Sequence, residues 1–299
     1  MPSWNEVLQE IQEYPNSLDS IRRKYLNEYN KITGRNVIAY YSGWLQKPGL
    51  AAASINDADK TAIMATVHKL DRTKGLDIIL HTPGGEIAAT ESIVDYLRKM
   101  FGEDITAIIP QIAMSCGTMI ACSCKRIIMG KQSNIGPIDP QFNGIPVQGV
   151  IEEFKRAIKA VKENPSSLPI WQVIVSKYHP TFIGDCEKAD EWAKTMVIEW
   201  LKTCMFKGQS TANEKASKVV EILSAHETTK THARHIDIDA CEKMGLVIDR
   251  METLPNNLQD IILTIHHTYM HTFSQSAAIK IVENQIGNAI VLHATYIKQ

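Results

Sequence analysis

Residues 76–129 read LDIILHTPGGEIAATESIVDYLRKMFGEDITAIIPQIAMSCGTMIACSCKRIIM, and this stretch decides the fold. Short apolar runs alternate in it with amphipathic segments: runs at 76–81, 105–110 and 126–129, and segments at 86–101 and 115–123. Apolar runs of this length are typical of strands buried on both faces, and apolar residues three or four positions apart are typical of helices. The alternation therefore predicts a parallel α/β sheet.

The regions around this stretch are mostly helical by the same criteria. A helical pattern that Pro15 interrupts precedes a strand at 37–42, and a helix is predicted from 57 to about 74. The second half predicts helices at 150–163, 186–206, 213–225, 239–244, 258–273 and 276–285. We therefore expect an N-terminal helical arm (1–35), a central α/β domain (36–250) and a helical C-terminal extension (251–299).

Composition excludes several classes of protein. The chain has 299 residues, is 44% hydrophobic and carries a net charge of −1, so it is neither disordered nor globally charged for nucleic acid or anionic lipid. It contains no apolar run long enough for a membrane span, and its N-terminus lacks a signal-peptide pattern. Six cysteines are too few for a disulfide framework. We expect a cytoplasmic protein with reduced thiols and no nucleic-acid or membrane partner.

The first chemically informative turn is HTPGGE at 81–86, between a predicted strand and a predicted helix. Gly84 and Gly85 let the backbone approach a ligand closely. Their N–H groups lie at a helix N-terminus, where an anion or oxyanion is favoured. A Gly-Gly turn on its own is more often structural.

The second turn is AMSCGT at 113–118, which has the same strand–turn–helix arrangement. Ser115 is either an N-cap of the helix or a nucleophile presented by the turn. Two such turns on neighbouring strands of a parallel sheet can face one cleft. There Gly84 or Gly85 and Cys116 would each donate one N–H to an oxyanion. Asp139, in the loop SNIGPIDPQ, is either an ordinary Asp-Pro turn residue or an acid of the same site.

These motifs resemble the serine dehydrogenase proteinase family, distant relatives of ClpP and signal peptide peptidase A on the crotonase-like fold. The resemblance is carried by 81–98, 113–121 and 130–141, and extends to 36–48, 70–75 and 231–236. It implies a crotonase/ClpP-like ββα superhelix for the central domain and a serine peptidase activity. The resemblance covers nearly the whole chain.

The family describes its triad in the order Ser, Asp, His, so the resemblance implies Ser115 as nucleophile and Asp139 as acid. It favours His232 as base, because family members have a similar His-small-Arg run there; His226 comes second and His235 third. One residue departs from the family pattern. Cys116 stands where alanine usually follows the serine, which keeps the N–H and adds a thiol.

Other residue patterns give alternatives. A Ser–Lys dyad, as in related signal-peptide peptidases, would use Lys155 or Lys159 as base, although such lysines are usually solvated. His267 and His271 have a spacing that could bind a metal, but the glutamate of a zinc-protease helix is absent. We therefore predict neither a metal nor a cofactor.

The sequence thus predicts a serine-type hydrolase that cleaves peptide bonds through an acyl-enzyme on Ser115. Its partners would be a peptide or protein substrate and further copies of the chain in a homo-oligomer. The chain has no ATPase motif, so any unfoldase or adaptor would be a separate protein. Two alternatives remain open. One is a catalytically inactive oligomeric scaffold, and the other is a coenzyme-A-type lyase or hydratase that uses only the oxyanion hole.

Overall fold

The computed structural model describes residues 3–13, 17–142, 144–224 and 233–294. Its helices are α1 (Trp4–Glu13), α2 (Ser17–Thr33), α3 (Ala58–Val67), α4 (Ile87–Phe101), α5 (Cys116–Cys122), α6 (Val147–Glu163), α7 (Leu168–Val175), α8 (Phe182–Thr203), α9 (Ala212–Ser224), α10 (Ile238–Met244) and α11 (Leu258–Gln275). Its strands are β1 (Asn36–Ser42), β2 (Leu76–His81), β3 (Ile105–Ile109), β4 (Ile112–Ala113), β5 (Arg126–Met129), β6 (Asn134–Ile135), β7 (Gln141–Phe142), β8 (Ile145–Pro146), β9 (Ile248–Arg250), β10 (Ala278–Asn284) and β11 (Ala289–His293).

A mixed seven-stranded sheet forms the centre of the molecule, in the order β11-β10-β1-β2-β3-β5-β9. Neighbouring strands from β1 to β9 are parallel, whereas β10 is antiparallel to both β1 and β11. The predicted α/β class is therefore confirmed, but the sheet predicted to be parallel is mixed, because β10 and β11 add to it in antiparallel pairs. Because β2 and β3 are parallel, the turns that follow them lie at the same edge of the sheet.

Helices cover both faces of the sheet. Ile38 and Tyr40 of β1 belong to a core shared with α3, α4, α5, α8 and α9, whereas Val37, Ala39 and Tyr41 pack with α2 and α11. Since side chains alternate across a strand, burial on both faces requires the continuous apolar runs seen in the sequence. Among the residues that the structure describes, no helix combines the length and apolar character needed to cross a membrane.

The helix predicted at 276–285 is wrong, so the C-terminal extension is not wholly helical. This segment forms β10, which pairs with β1. Its two charged residues, Lys280 and Glu283, are buried and paired with Asp59 and Arg22 at 2.8 and 2.9 Å. Charged residues three positions apart in the sequence are typical of the solvent-exposed face of a helix. Here each charge finds a partner from a distant part of the chain on its own face of the sheet.

The two helices predicted for the N-terminal arm are confirmed as α1 and α2. The guanidinium of Arg22 in α2 is fully buried and donates to Glu283 and to Thr272 of α11, both at 2.9 Å. These contacts attach the arm to the sheet and to the C-terminal helix. The division into 1–35, 36–250 and 251–299, like the ββα superhelix, stays a prediction.

Candidate active site

Two strand-to-helix turns form the site, and each is called a corner here. The first corner lies between β2 and α4, at residues 82–86. Ile55 runs alongside it: its N–H donates to the Gly84 carbonyl at 2.8 Å, and its carbonyl accepts the Glu86 N–H at 2.9 Å. Gly84 has a φ of 98°, which favours glycine. Because a trans peptide points its C=O and N–H in opposite directions, the Gly85 N–H points away from Ile55.

The two glycines of this corner differ in what their N–H groups contact. Thr82 Oγ1 accepts the Gly84 N–H at 3.2 Å. Within the described ranges, no protein acceptor receives the Gly85 N–H. Gly84 is buried and Gly85 is exposed. Gly85 is therefore the glycine with a donor available to a ligand.

The second corner lies between β4 and α5 and contains Ser115. This residue has φ 50° and ψ −117°, a conformation that L-amino acids rarely adopt, and its half-buried side chain makes no capping hydrogen bond to α5. Its carbonyl accepts the Met119 N–H at 3.0 Å, as in the first turn of a helix. The N–H of Cys116, on the opposite side of that peptide, therefore points out of the helix N-terminus.

The two corners are in direct contact. Thr82 pairs with β4, and its carbonyl accepts the Met114 N–H at 3.0 Å. A Cβ atom added to Gly84 would lie 2.5 Å from Ser115 Cβ and 3.1 Å from the nitrogen of Cys116. Only a glycine permits this approach, which brings the serine side chain and both corners to one place.

The loop that carries Asp139 is attached to the second corner. The Thr118 hydroxyl of α5 accepts the Gly136 N–H at 2.9 Å, and β6, which precedes the loop, pairs with β4. Asp139 itself is buried. Its neighbours Ile138 and Pro140 line the same cleft as Ser115.

A cleft of about 620 Å³ opens beside both corners. Ser115, Gly84 and Gly85 form part of its lining. Its lining includes the apolar side chains of Met119, Ile138, Phe142 and Trp192 and the polar residues Ser54, Glu86 and Gln141. A bound carbonyl group near Ser115 would meet backbone N–H donors that the fold already holds in place.

Comparisons with known proteins identify the family of the chain. The model of the ClpP-like SDH-type serine proteinases matches residues 42–283. The chain belongs to this family. It is 26% identical to the uncharacterized protein MJ0137 of Methanocaldococcus jannaschii over 223 residues, which cover 74% of this chain and 68% of that protein. It is 28% identical to MJ1495 of the same organism over 233 residues, with coverages of 76% and 71%.

The histidines that the family resemblance favours fall in a part of the chain that the structure does not describe. His226 and His232 both lie within 225–232, outside the described residues. His235 is described and exposed, and it lines a separate cavity of about 460 Å³ together with Arg234. Of the three candidate bases, His235 is thus placed outside the lining of the Ser115 cleft.

The residues that flank this segment are bound to the Asp139 loop. The Leu223 carbonyl accepts the Ile138 N–H at 3.0 Å. Ile236 and Ile135 exchange two backbone hydrogen bonds, at 3.0 and 2.9 Å. The described residues on both sides of 225–232 are therefore hydrogen-bonded to the loop that carries Asp139.

The lysines of the alternative Ser–Lys dyad lie on the surface of α6. Lys155 and Lys159 are exposed, and Lys159 Nζ lies 3.9 Å from a carboxylate oxygen of Glu163. Neither lysine is part of the lining of the cleft. The arrangement brings together Ser115, both glycines and the Asp139 loop, but not these two lysines.

The Cys116 thiol lies beneath the first corner and does not line the cleft. Its Sγ–H donates to the Gly85 carbonyl at 3.1 Å, and burial raises the pKa of this thiol. A buried neutral thiol is a poor nucleophile, since the thiolate is the reactive form. In this member of the SDH-type family, the cysteine therefore supports the corner next to the serine.

Sequence reasoning missed the residues that support the first corner from behind. Lys280 Nζ donates to the carbonyl of Ser54 at 2.7 Å and to both carboxylate oxygens of Asp59 at 2.9 and 2.8 Å. Burial lowers the pKa of Lys280, and Asp59 opposes that shift. A lysine inside the β-branched run of 278–284 was the available signal, but its partner lies too far away in the sequence for any pattern to indicate it.

Proposed function

We propose that this protein is a serine-type peptidase that cleaves peptide bonds through an acyl-enzyme on Ser115. The observation that carries the proposal is the meeting of the two corners. The Ser115 side chain shares a cleft with Gly84 and Gly85. The nitrogen of Cys116 lies next to Gly84, and the N–H groups of Gly85 and Cys116 point away from the hydrogen bonds that their peptide carbonyls accept. Membership of the ClpP-like SDH-type serine proteinases supports the same reaction class.

The reaction would proceed in two halves. Ser115 Oγ attacks the carbonyl carbon, its proton passes to a histidine base, and the N–H groups of Gly85 and Cys116 stabilise the resulting oxyanion. The C–N bond then breaks, and the base returns the proton to the leaving amine. Water, activated by the same base, hydrolyses the acyl-enzyme and regenerates the serine. Gly84 contributes close packing instead of a donor, because Thr82 already accepts its N–H.

We assign the base to His232 and the orienting acid to Asp139, with His226 as the second choice. Histidine suits this role because its pKa near 6.5 allows it to accept and return a proton near neutral pH. The support is positional: the chain on both sides of 225–232 is hydrogen-bonded to the loop that carries Asp139. The exposed His235, in another cavity, is the weakest of the three.

Covalent labelling tests the nucleophile. A fluorophosphonate should modify the wild-type protein on Ser115, as identified by mass spectrometry, and Ser115→Ala should abolish the label. Ser92→Ala, which changes a serine on α4 outside the cleft lining, is the matched control and should label normally. Labelling that persists in Ser115→Ala contradicts the proposal. Absence of any label on the wild-type protein favours an inactive scaffold or a coenzyme-A-type lyase or hydratase, which would need only the oxyanion hole.

Variants of the candidate bases test the assignment of His232 as the base. His232→Ala should reduce the labelling rate by about a thousandfold or more, whereas His226→Ala and Lys155→Met should have much smaller effects. The pH–rate profile of the wild-type protein should rise near pH 6–7, as a histidine base requires. A rise at clearly higher pH together with loss of labelling in Lys155→Met or Lys159→Met would replace the histidine by a Ser–Lys dyad.

We also propose that the protein works as a homo-oligomer. The support is a set of large apolar side chains on α6 and α7 that are exposed in the single chain: Ile158, Leu168, Ile170 and Val173. Light scattering should give a mass that is a multiple of 33.5 kDa, and Ile170→Asp combined with Val173→Asp should lower it. A monomeric wild-type protein would contradict this.

A further inference from the structure

A buried ion pair lies behind the first corner. The Lys280 ammonium has three protons and three close acceptors: the Ser54 carbonyl and both carboxylate oxygens of Asp59. Asp59 also accepts the Tyr40 hydroxyl at 2.7 Å and the Asn56 N–H at 3.0 Å. The side chains of Lys280, Asp59 and Tyr40 are all buried. Buried charges are tolerated only when they are paired and hydrogen-bonded, so this network favours a single arrangement.

This network holds a short segment of chain from both ends. Lys280 binds the carbonyl of Ser54, and Asp59 binds the N–H of Asn56. Between these two points lies Ile55, whose own N–H and carbonyl bind the two peptides on either side of Gly85. The direction of the Gly85 N–H is therefore set by Ile55, and the position of Ile55 is set by the ion pair.

We infer that Lys280 and Asp59 are positioning residues for the oxyanion donor at Gly85, and that they act through Ile55. This inference rests on the function proposed above. Neither side chain lines the cleft, so neither touches the substrate. All three protons of the Lys280 ammonium are donated to acceptors, so this lysine is not the base of a Ser–Lys dyad.

The same strand offers a matched control. Glu283, three residues after Lys280, is also buried and ion-paired, but it lies on the opposite face of the sheet and binds Arg22 and Arg23. Described contacts of Glu283 connect β10 to the N-terminal arm and to Tyr269 of α11, not to the corner. A variant at Glu283 therefore disturbs a buried charge in β10 without touching Ile55.

The test measures two quantities for the reaction of a fluorophosphonate with Ser115. One is the maximal rate at saturating reagent, and the other is the reagent concentration that gives half of that rate. The main variant combines Lys280→Met with Asp59→Asn, which removes both charges together and leaves Asn56 and Tyr40 an acceptor. The maximal rate should fall by about tenfold or more, with the half-saturating concentration unchanged, because the loss is in oxyanion stabilisation. Glu283→Gln should keep the wild-type maximal rate even if its melting temperature falls.

Two outcomes overturn the inference. One is a folded double variant, judged by circular dichroism, that reacts within about twofold of the wild-type rate. The other is an equal loss of rate in Glu283→Gln, which would make the effect one of general stability. If the double variant does not fold, Tyr40→Phe removes one hydrogen bond to Asp59 and should lower the maximal rate by about threefold; an unchanged rate there also overturns it. Wild-type protein that fails to label on Ser115 refutes the proposed function instead.

Discussion

The two corners that meet at the cleft share one layout but are supported in different ways. The first, at 82–86, has two glycines and is held from outside by Ile55. The second has Ser115 in a conformation unfavourable for an L-residue and is held by its own helix, α5. Where a backbone N–H is the donor offered to the ligand, the chain has glycines that are held in place by hydrogen bonds to Ile55. Where a side chain is presented, the chain keeps a serine at a cost in backbone strain.

The largest effect is expected where the corners touch. Gly84→Ala places a Cβ atom 2.5 Å from Ser115 Cβ and 2.9 Å from the Met114 carbonyl oxygen. We expect loss of fluorophosphonate labelling and a decrease of about 3 kcal/mol in the free energy of unfolding. Gly34→Ala is the matched control, because Gly34 also has a positive φ but has nothing within 4 Å of the added atom. Equal behaviour of the two variants would show that the corners do not need their close approach.

Acid should destabilise the protein through a buried histidine pair, one member of which, His81, directly precedes the first corner. The His81 ring lies 5.1 Å from the His266 ring, and burial lowers the pKa of His81 well below 6.5 and that of His266 to about 3. The unfolded state therefore binds more protons than the folded state between about pH 6.5 and 3. The free energy of unfolding should fall by about 1.4 kcal/mol per pH unit for each histidine as pH decreases through this window.

Urea unfolding at pH 7, 6 and 5 measures this dependence. His266→Phe removes one titrating group and should reduce the slope by the contribution of one proton. An unchanged slope in His266→Phe would mean that other groups destabilise the protein in acid.

A smaller effect is expected from strain at the second corner. Ser115→Gly and Ser115→Ala both remove the hydroxyl, but only glycine adopts a φ of 50° without a steric penalty. The glycine variant should be about 1 kcal/mol more stable than the alanine variant in urea unfolding. Ala65→Gly, inside α3, should show the opposite sign, because glycine is unfavourable in a helix. Equal stability of the two Ser115 variants would contradict the idea of a strained serine.

The smallest effect on the labelling rate should come from the thiol that joins the corners. Cys116→Ala keeps the backbone N–H and loses the hydrogen bond from Sγ to the Gly85 carbonyl. The maximal labelling rate should stay within about threefold of wild type, with a loss of about 1–2 kcal/mol in the free energy of unfolding. A loss of rate comparable to that of the Lys280→Met/Asp59→Asn variant would mean that the thiol, and not Ile55, holds the first corner.

The region that was predictable from sequence is the one dominated by local periodicity. The strands at 76–81 and 126–129 have the predicted bounds, and α4 begins one residue after the predicted start at Glu86. Fully buried parallel strands are continuous apolar runs, and Gly-rich turns separate them from the helices that follow. The two corners, and the position of Ser115 at the start of a helix, could therefore be predicted.

The failures occurred where distant contacts override local pattern. The segment 276–285 has charges at helical spacing, yet it forms β10 because Lys280 and Glu283 find buried partners on opposite faces of the sheet. The helix predicted from residue 57 to about 74 ends instead at Val67, and Lys69 has a positive φ of 67°. The distant partners of Lys280 and Glu283, and the left-handed conformation of Lys69, produce no periodic pattern in the sequence.

The amino-acid sequence by itself determined the parallel strands, the two strand-to-helix corners, the serine at the start of a helix and the family. These depend on residues close together in the chain, whose spacing selects strand, turn or helix directly. Only the tertiary structure decided that Gly85 and not Gly84 has a donor to offer, and that Lys280 and Asp59 stand behind it. Those choices depend on hydrogen bonds between residues as far apart as 226 positions, which form only after the chain has folded.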